Sequence, residues 1–198
     1  LNRRRLLALS PARQANLVRW LLQGRGALAP SRAALEEALR QLRACPAAHP
    51  LRLALGDWVC CAYRDGVWLE PIAAPLPAGQ RWCGQAALPW GDALVRFEAT
   101  TGAGLSRAAL DAASEVRLGL RTPGMRLRLH ASRPRRALRT LCQEAGIPAW
   151  LRDRLPVLWV DGEPAWVGGI GVSAAMACPP GQAGVLPCWN PAGCEAGD

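Results

Sequence analysis

Lysine is missing from this sequence. All 24 basic residues are arginine, against 15 acidic ones, for a net charge of +9. With Ala, Gly, Pro and Trp abundant, this pattern fits GC-rich codon usage. It still matters physically, because each arginine offers a planar fork of donors suited to phosphate. Histidine occurs only twice. His49 lies beside prolines in a loop, and His130 with Ser132 and Asp153 lacks the nucleophile elbow of a hydrolase triad. The eight cysteines contain no CxxC pair, the usual mark of a structural zinc site. The chain is too long and too helical for a small disulfide-stapled domain. The thiols are expected to be reduced, with Cys178, Cys188 and Cys194 the candidates for exception. No apolar run approaches the roughly 18 residues of a membrane span, and no signal peptide is visible. The expectation is a cytoplasmic protein with no membrane partner. The chain opens on Leu1 rather than Met, which reads as a piece of a longer protein.

What is present divides into blocks. Residues 1–75 hold eleven arginines and five acids, and 76–120 balance at four and four. Residues 121–160 hold nine arginines against Glu144 and Asp153, while 161–198 carry four acids and no base. The length allows one large or two small domains. Ser10–Pro11 starts a helix with Leu17, Val18, Trp20, Leu21 and Leu22 on its apolar face, stopped by Gly24 and Gly26. Pro30–Ser31 opens a second, with Leu35, Ala38, Leu39 and Leu42 at helical spacing. Turn signals then separate strands over 51–55, 58–63 and 67–70. Further on, 93–99 and 125–130 alternate like strands, and LPVLWV and PAWVGGIGV are joined at Asp161–Gly162, a hairpin signal. The fold class is α+β: a small helical domain with a short antiparallel sheet over 1–75, a proline-rich linker over 76–92, and a mixed α/β C-terminal domain over 93–175. Residues 176–198 read as a partly disordered tail.

The second basic block is RPRRALRTLCQEAGIPAWLRDRLPVLW, residues 133–159. It reads as a helix starting near Pro134, with Ala137, Leu138, Leu141, Cys142 and Ala145 buried and Arg135, Arg136 and Arg139 clustered opposite. Positive charge at a helix N-terminus opposes the dipole, and like charges three or four apart repel. A bound phosphate reverses both terms. On the preceding strand, Arg126 and Arg128 share a face about 6.7 Å apart, near the spacing of successive phosphates. Arg133 bridges strand and helix, and Arg152 and Arg154 extend the block, with Glu144 a structural partner for one of them. From the residues alone, the array suits a nucleic-acid backbone, gripped by shape and charge. A solvated basic face and an anionic ligand or membrane surface stay open.

The same stretch, continued through VDGEPAWVGG, resembles the C-terminal domain of the bacterial tRNA(Ile)-lysidine synthetases. That family shows a helix of the form L-K-K-L-F-Q-E, then I-P-P-W-x-R, then L-P-L-L. Leu138, Leu141, Gln143, Glu144, Ile147, Pro148, Trp150, Arg152, Leu155, Pro156 and Leu158 match; Thr140, Cys142 and Ala149 depart. LSPARQANLVRWLLQGRGALAPSRAALEEALRQL and the following YRDGVWL are similar to the family's middle domain, and GVLPCWNPA to its Trp-containing tail.

The resemblance implies that the parent enzyme uses ATP and Mg to adenylate C2 of the wobble cytidine of a CAU-anticodon tRNA(Ile). Lysine then displaces AMP. This chain would be the accessory part, holding the acceptor stem and body of tRNA(Ile) through Arg126, Arg128, Arg133, Arg135, Arg136, Arg139, Arg152 and Arg154. No catalytic residue, metal or cofactor is expected here, because the family's SGGxDS loop is missing and TTGAGLS at 100–106 does not replace it. Lysine and ATP would be met only through the catalytic domain, and this chain alone is expected to be inactive. The competing reading is a stand-alone RNA-binding module.

Overall fold

A computed structural model describes residues 1–72 and 74–190. Cys194 and the last eight residues of the expected tail lie outside the described residues. The architecture is α+β and separates into two compact units, Leu1–Ala73 and Ala74–Asp198.

The first unit packs three helices, α1 (Arg3–Leu7), α2 (Pro11–Gln23) and α3 (Arg32–Ala44), with an antiparallel sheet. Its strands are β1 (Leu51–Leu55), β2 (Trp58–Tyr63) and β3 (Gly66–Pro71), paired in chain order. Pro11 occupies the first turn of α2, where its missing N–H costs nothing. The Ser31 side chain accepts from Ala34 N at 3.2 Å and caps α3. Leu22 and Val18 of α2 and Leu35, Leu39 and Leu42 of α3 share one core with Leu55, Ala62 and Val67 of the sheet. Trp20 departs from its expected place on the apolar face: it is 69% exposed. At 100° per residue it lies nearly opposite Val18, so the period, read strictly, sends it outward.

Two polar side chains are buried in this unit. Arg3, 5% exposed, donates to the Leu42 carbonyl at 2.6 Å and to the Cys45 carbonyl. These are among the carbonyls that α3 leaves unpaired at its C-terminus, so Arg3 caps that end and meets the negative pole of its dipole. Gln14 donates to the Leu9 carbonyl at 2.7 Å and accepts from Arg43 at 2.6 Å.

The second unit is built on a five-stranded and a four-stranded sheet. Its elements run β4 (Gln80–Arg81), β5 (Ala87–Trp90), β6 (Ala93–Thr101), β7 (Leu105–Ser106), α4 (Arg107–Ala112), β8 (Val116–Gly119), β9 (Arg126–Leu127), β10 (Arg136–Ala137), α5 (Leu138–Glu144), α6 (Ala149–Arg152), β11 (Val157–Val160), β12 (Glu163–Val167), β13 (Gly171–Val172) and β14 (Ala183–Trp189). One sheet runs β13-β12-β11-β8-β4, the other β5-β6-β14-β7, and β9 pairs with β10. Asp161 and Gly162 have φ of 47° and 81°, as a two-residue turn between β11 and β12 requires.

The segments read as linker and tail are structural. Residues 76–92 supply β4 and β5, and β14 pairs with β6 along its whole length, from Ala183 opposite Thr101 to Trp189 opposite Val95. Both segments are rich in proline, yet Pro89 sits exposed in β5 and Pro187 is a buried member of β14. Neither breaks its strand, because a proline lacks only the donor, which an edge or an outward-facing N–H does not need.

Two expectations follow. Arg3→Ala strips a charge-assisted donor from the end of α3 and lowers stability by about 2 kcal/mol in urea denaturation. Burial pushes the Cys60 thiol up to about 11 and, with Glu70, the Cys61 thiol up to about 12. At pH 8 both stay protonated and unreactive. Iodoacetamide, mapped by mass spectrometry, should label exposed Cys83 and Cys188 first and reach Cys60 and Cys61 only on unfolding.

Candidate nucleic-acid interface

The basic segment is held by its apolar half. Met125 and Leu127 point inward, while Arg126, Arg128 and His130 are exposed, the alternation that the sequence shows. Met125 and Leu127 share a core with Leu138, Leu141 and Cys142 of α5, Val157 and Trp159 of β11, and Val167 of β12. The β9–β10 pair and α5 thus cover one face of the five-stranded sheet, and their outer side carries the arginines.

The helix is shorter than expected. It begins at Leu138, not near Pro134, and is capped by Ala137 with no side-chain bond. Arg136 belongs to β10, and Arg133 and Arg135 precede it; only Arg139 lies in the first turn of α5. The Leu138 N–H is taken by the Met125 carbonyl at 3.0 Å. An anion site at this helix end is therefore not what gathers the arginines, and most of the expected conflict with the helix dipole disappears. A strand hairpin gathers them instead. The register sets Arg136 opposite Leu127 and Ala137 opposite Arg126. Arg126 Nη2 donates to the Arg135 carbonyl at 2.9 Å across the pair.

Carboxylates engage some of these charges. Glu144 accepts two bonds from Arg136, at 2.7 and 2.6 Å, and holds that guanidinium's pKa above its ordinary value. This corrects the expected pairing of Glu144 with Arg152 or Arg154, since β10 brings Arg136 alongside α5. Arg135 reaches Glu163 at 3.4 Å. Arg152 Nε donates to the Ile147 carbonyl at 3.0 Å, and Arg154 Nη2 to the Ala74 carbonyl at 2.6 Å. The Arg154 carbonyl in turn accepts from Trp90 Nε1 at 2.7 Å, so Arg154 fastens the β5 end of the unit to the segment after α6. Among the described residues, Arg126, Arg128, Arg133 and Arg139 have no carboxylate partner, and all four are exposed. Sequence spacing missed Arg121, which pairs with Asp153 across 32 residues, a contact with no local signal.

The hairpin presents a short run of guanidiniums on a rigid, core-anchored base. It offers charge and forked donors at several adjacent points. Such an array can neutralise and orient a chain of phosphates.

Comparison with known proteins agrees in both units. A family model described as the TilS substrate binding domain matches residues 1–68, and one described as the TilS substrate C-terminal domain matches residues 116–189. The chain is 54% identical over 193 residues to a tRNA(Ile)-lysidine synthase of Aromatoleum aromaticum, covering 95% of this chain and 44% of that protein. It is 54% identical over 186 residues to the protein of that name from an Azoarcus species, covering 93% and 40%. The protein of that name from Nitrosomonas europaea is 30% identical over 193 residues, covering 94% and 41%. The chain thus spans less than half the length of these relatives. It belongs to the tRNA(Ile)-lysidine synthase family and carries its substrate-binding and C-terminal domains.

The arginines differ in what they support, and unfolding can separate them. Arg154→Ala removes a charge-assisted bond inside the fold and should cost about 1–2 kcal/mol in urea denaturation. Arg128→Ala and Arg139→Ala, which remove only exposed charge, should leave the midpoint unchanged.

Proposed function

We propose that this chain is the tRNA-holding part of an ATP-dependent enzyme that joins lysine to C2 of the wobble cytidine of tRNA(Ile). The observation that carries the reading is the hairpin over 126–139. It sets Arg126, Arg128, Arg133 and Arg139 outward with no carboxylate partner among the described residues. Arg135, Arg136, Arg152 and Arg154 add to the site, since a guanidinium has five donors and each spends only one or two within the fold. The membership of both units in one tRNA-modifying family supports the choice of tRNA over a solvated basic face. Backbone contacts of this kind fix register and orientation without reading bases. The acceptor stem and body are the parts of the tRNA assigned to this grip. Among the described residues, no helix is long and apolar enough to cross a membrane. A cytoplasmic site of action, where tRNA is modified, is part of the same reading.

ATP and Mg belong to the portion of the relatives that this chain does not match, and its residues do not fit them. TTGAGLS, the one glycine-rich stretch resembling a phosphate loop, turns β6 into β7. Gly104 adopts φ 72°, and a Cβ there would lie 2.3 Å from the Val185 carbonyl. Its glycine serves close backbone packing against β14 rather than a phosphate cradle. The contribution assigned to this chain is positioning. Holding a large substrate in one orientation converts a rare encounter into a local one and supplies rate without any chemistry.

The test is the salt dependence of tRNA binding. The apparent affinity should fall steeply as salt rises. Replacing Arg126, Arg128, Arg133 and Arg139 together by Ala should flatten the log–log slope by about three units, roughly 0.7–0.9 for each of the four phosphates that are no longer neutralised. An unchanged slope in a folded variant would reduce the hairpin to a solvated face.

A further inference from the structure

The first unit carries an aromatic side chain that its own core does not use. Trp20 sits on α2 with 69% of its surface exposed, far more than any other described tryptophan. Its neighbours along that helix face leave the ring open. Asn16 one turn before and Gln23 one turn after are exposed, and position 24 is Gly24, with no side chain to lie across the indole. Among the described residues no ring stacks on Trp20 and no cation sits over it. Leaving so large an apolar side chain in water is costly, and a single ring is too small to be a stable protein interface.

The charge on α2 is of one sign. The helix carries two arginines, Arg13 and Arg19, and no acidic residue. Arg13 lies two turns before Trp20 on the same face, and Arg19 directly precedes it. Neither has a carboxylate partner among the described residues. A flat, exposed indole on a helix that also carries Arg13 along the same face, Arg19 next to it in the chain, and the amides of Asn16 and Gln23 is complementary to one kind of group: an unstacked base with its phosphates on either side.

We infer that the outer face of α2 is a second RNA contact, in which an unpaired nucleotide stacks on Trp20 while Arg13 and Arg19 meet the adjoining phosphates. This rests on the reading of the chain as RNA-holding, and it adds a different mode of recognition. The hairpin of the second unit grips paired backbone by charge. Trp20 selects for a base that is free to leave its stack, and so for a loop or bulge.

The experiment compares two labelled RNAs by fluorescence anisotropy: a hairpin with an unpaired loop, and a blunt duplex of equal phosphate number. The unaltered chain should bind the loop RNA more tightly. Trp20→Ala should weaken loop binding about tenfold, the size of one base–aromatic stack, and leave duplex binding unchanged. Trp20→Phe, which keeps a flat ring, should restore most of the loss. Arg13→Ala should weaken loop binding and flatten its salt slope. The residue is exposed, so these variants should keep the parent urea midpoint. Duplex binding with no effect of Trp20→Ala on the loop RNA would overturn the stacking contact while leaving the arginine hairpin intact. Failure of both RNAs to bind would remove both readings. A change in sedimentation with loop affinity unaltered would also overturn the contact, because it would make α2 a surface for self-association.

Discussion

Every inward side chain of β11 has a different neighbour from the one before it. Leu158 and Val160 enter the core shared with the four-stranded sheet, while Val157 and Trp159 enter the core beneath α5 and β9. All four are buried. A strand covered on both faces cannot slip by one residue without exchanging its two sets of packing partners, so its register is fixed from both sides. The second unit hangs on this. The four-stranded sheet lies on one side of β11 and the arginine-bearing hairpin on the other.

That arrangement explains how a short segment can carry so much positive charge. Two residues of β9 form a ladder with two of β10, which by itself would be a weak structure. Burial of Met125, Leu127, Leu138 and Leu141 supplies the stability, and the outward residues are then free to be arginine. The carboxylates in reach engage part of the patch. Glu144 holds Arg136, Glu163 meets Arg135, and Asp153 meets Arg121. Exposed pairs of this sort add little stability, but they orient side chains, and among the described residues Arg126, Arg128, Arg133 and Arg139 stay without a carboxylate partner.

The legible parts of the fold were those written in short-range signals. The three strands of the first sheet follow from alternation between GD and RDG turns, and the β11–β12 turn from Asp161–Gly162. Helices α2 and α3 follow from their caps and apolar spacing. The exposed arginines of β9 were equally plain, because period two survives even where only two residues pair. The rest depended on distant partners. Residues 76–92 look like a linker until β8 and β6 are present to pair with them, and 183–189 look like tail until β6 runs alongside. The start of α5 was misplaced because R-P-R-R-A-L suits a helix entry as well as a strand, and the Met125 carbonyl decides between them. Glu144 found Arg136 for the same reason. The outward position of Trp20 is written in the helical period itself, since it stands about 200° round α2 from buried Val18.

The pairing of β14 with β6 has a consequence for how the chain is made. The two strands are separated by more than eighty residues, and β14 occupies an inner place in its sheet, between β6 and β7. As the polypeptide leaves the ribosome, the first unit holds all its strands and helices once residue 71 has emerged, and can fold at once. The second cannot close until residues 183–189 appear, and until then β6 offers a bare hydrogen-bonding edge. A message that ends early would therefore yield a chain with one finished unit and one open sheet.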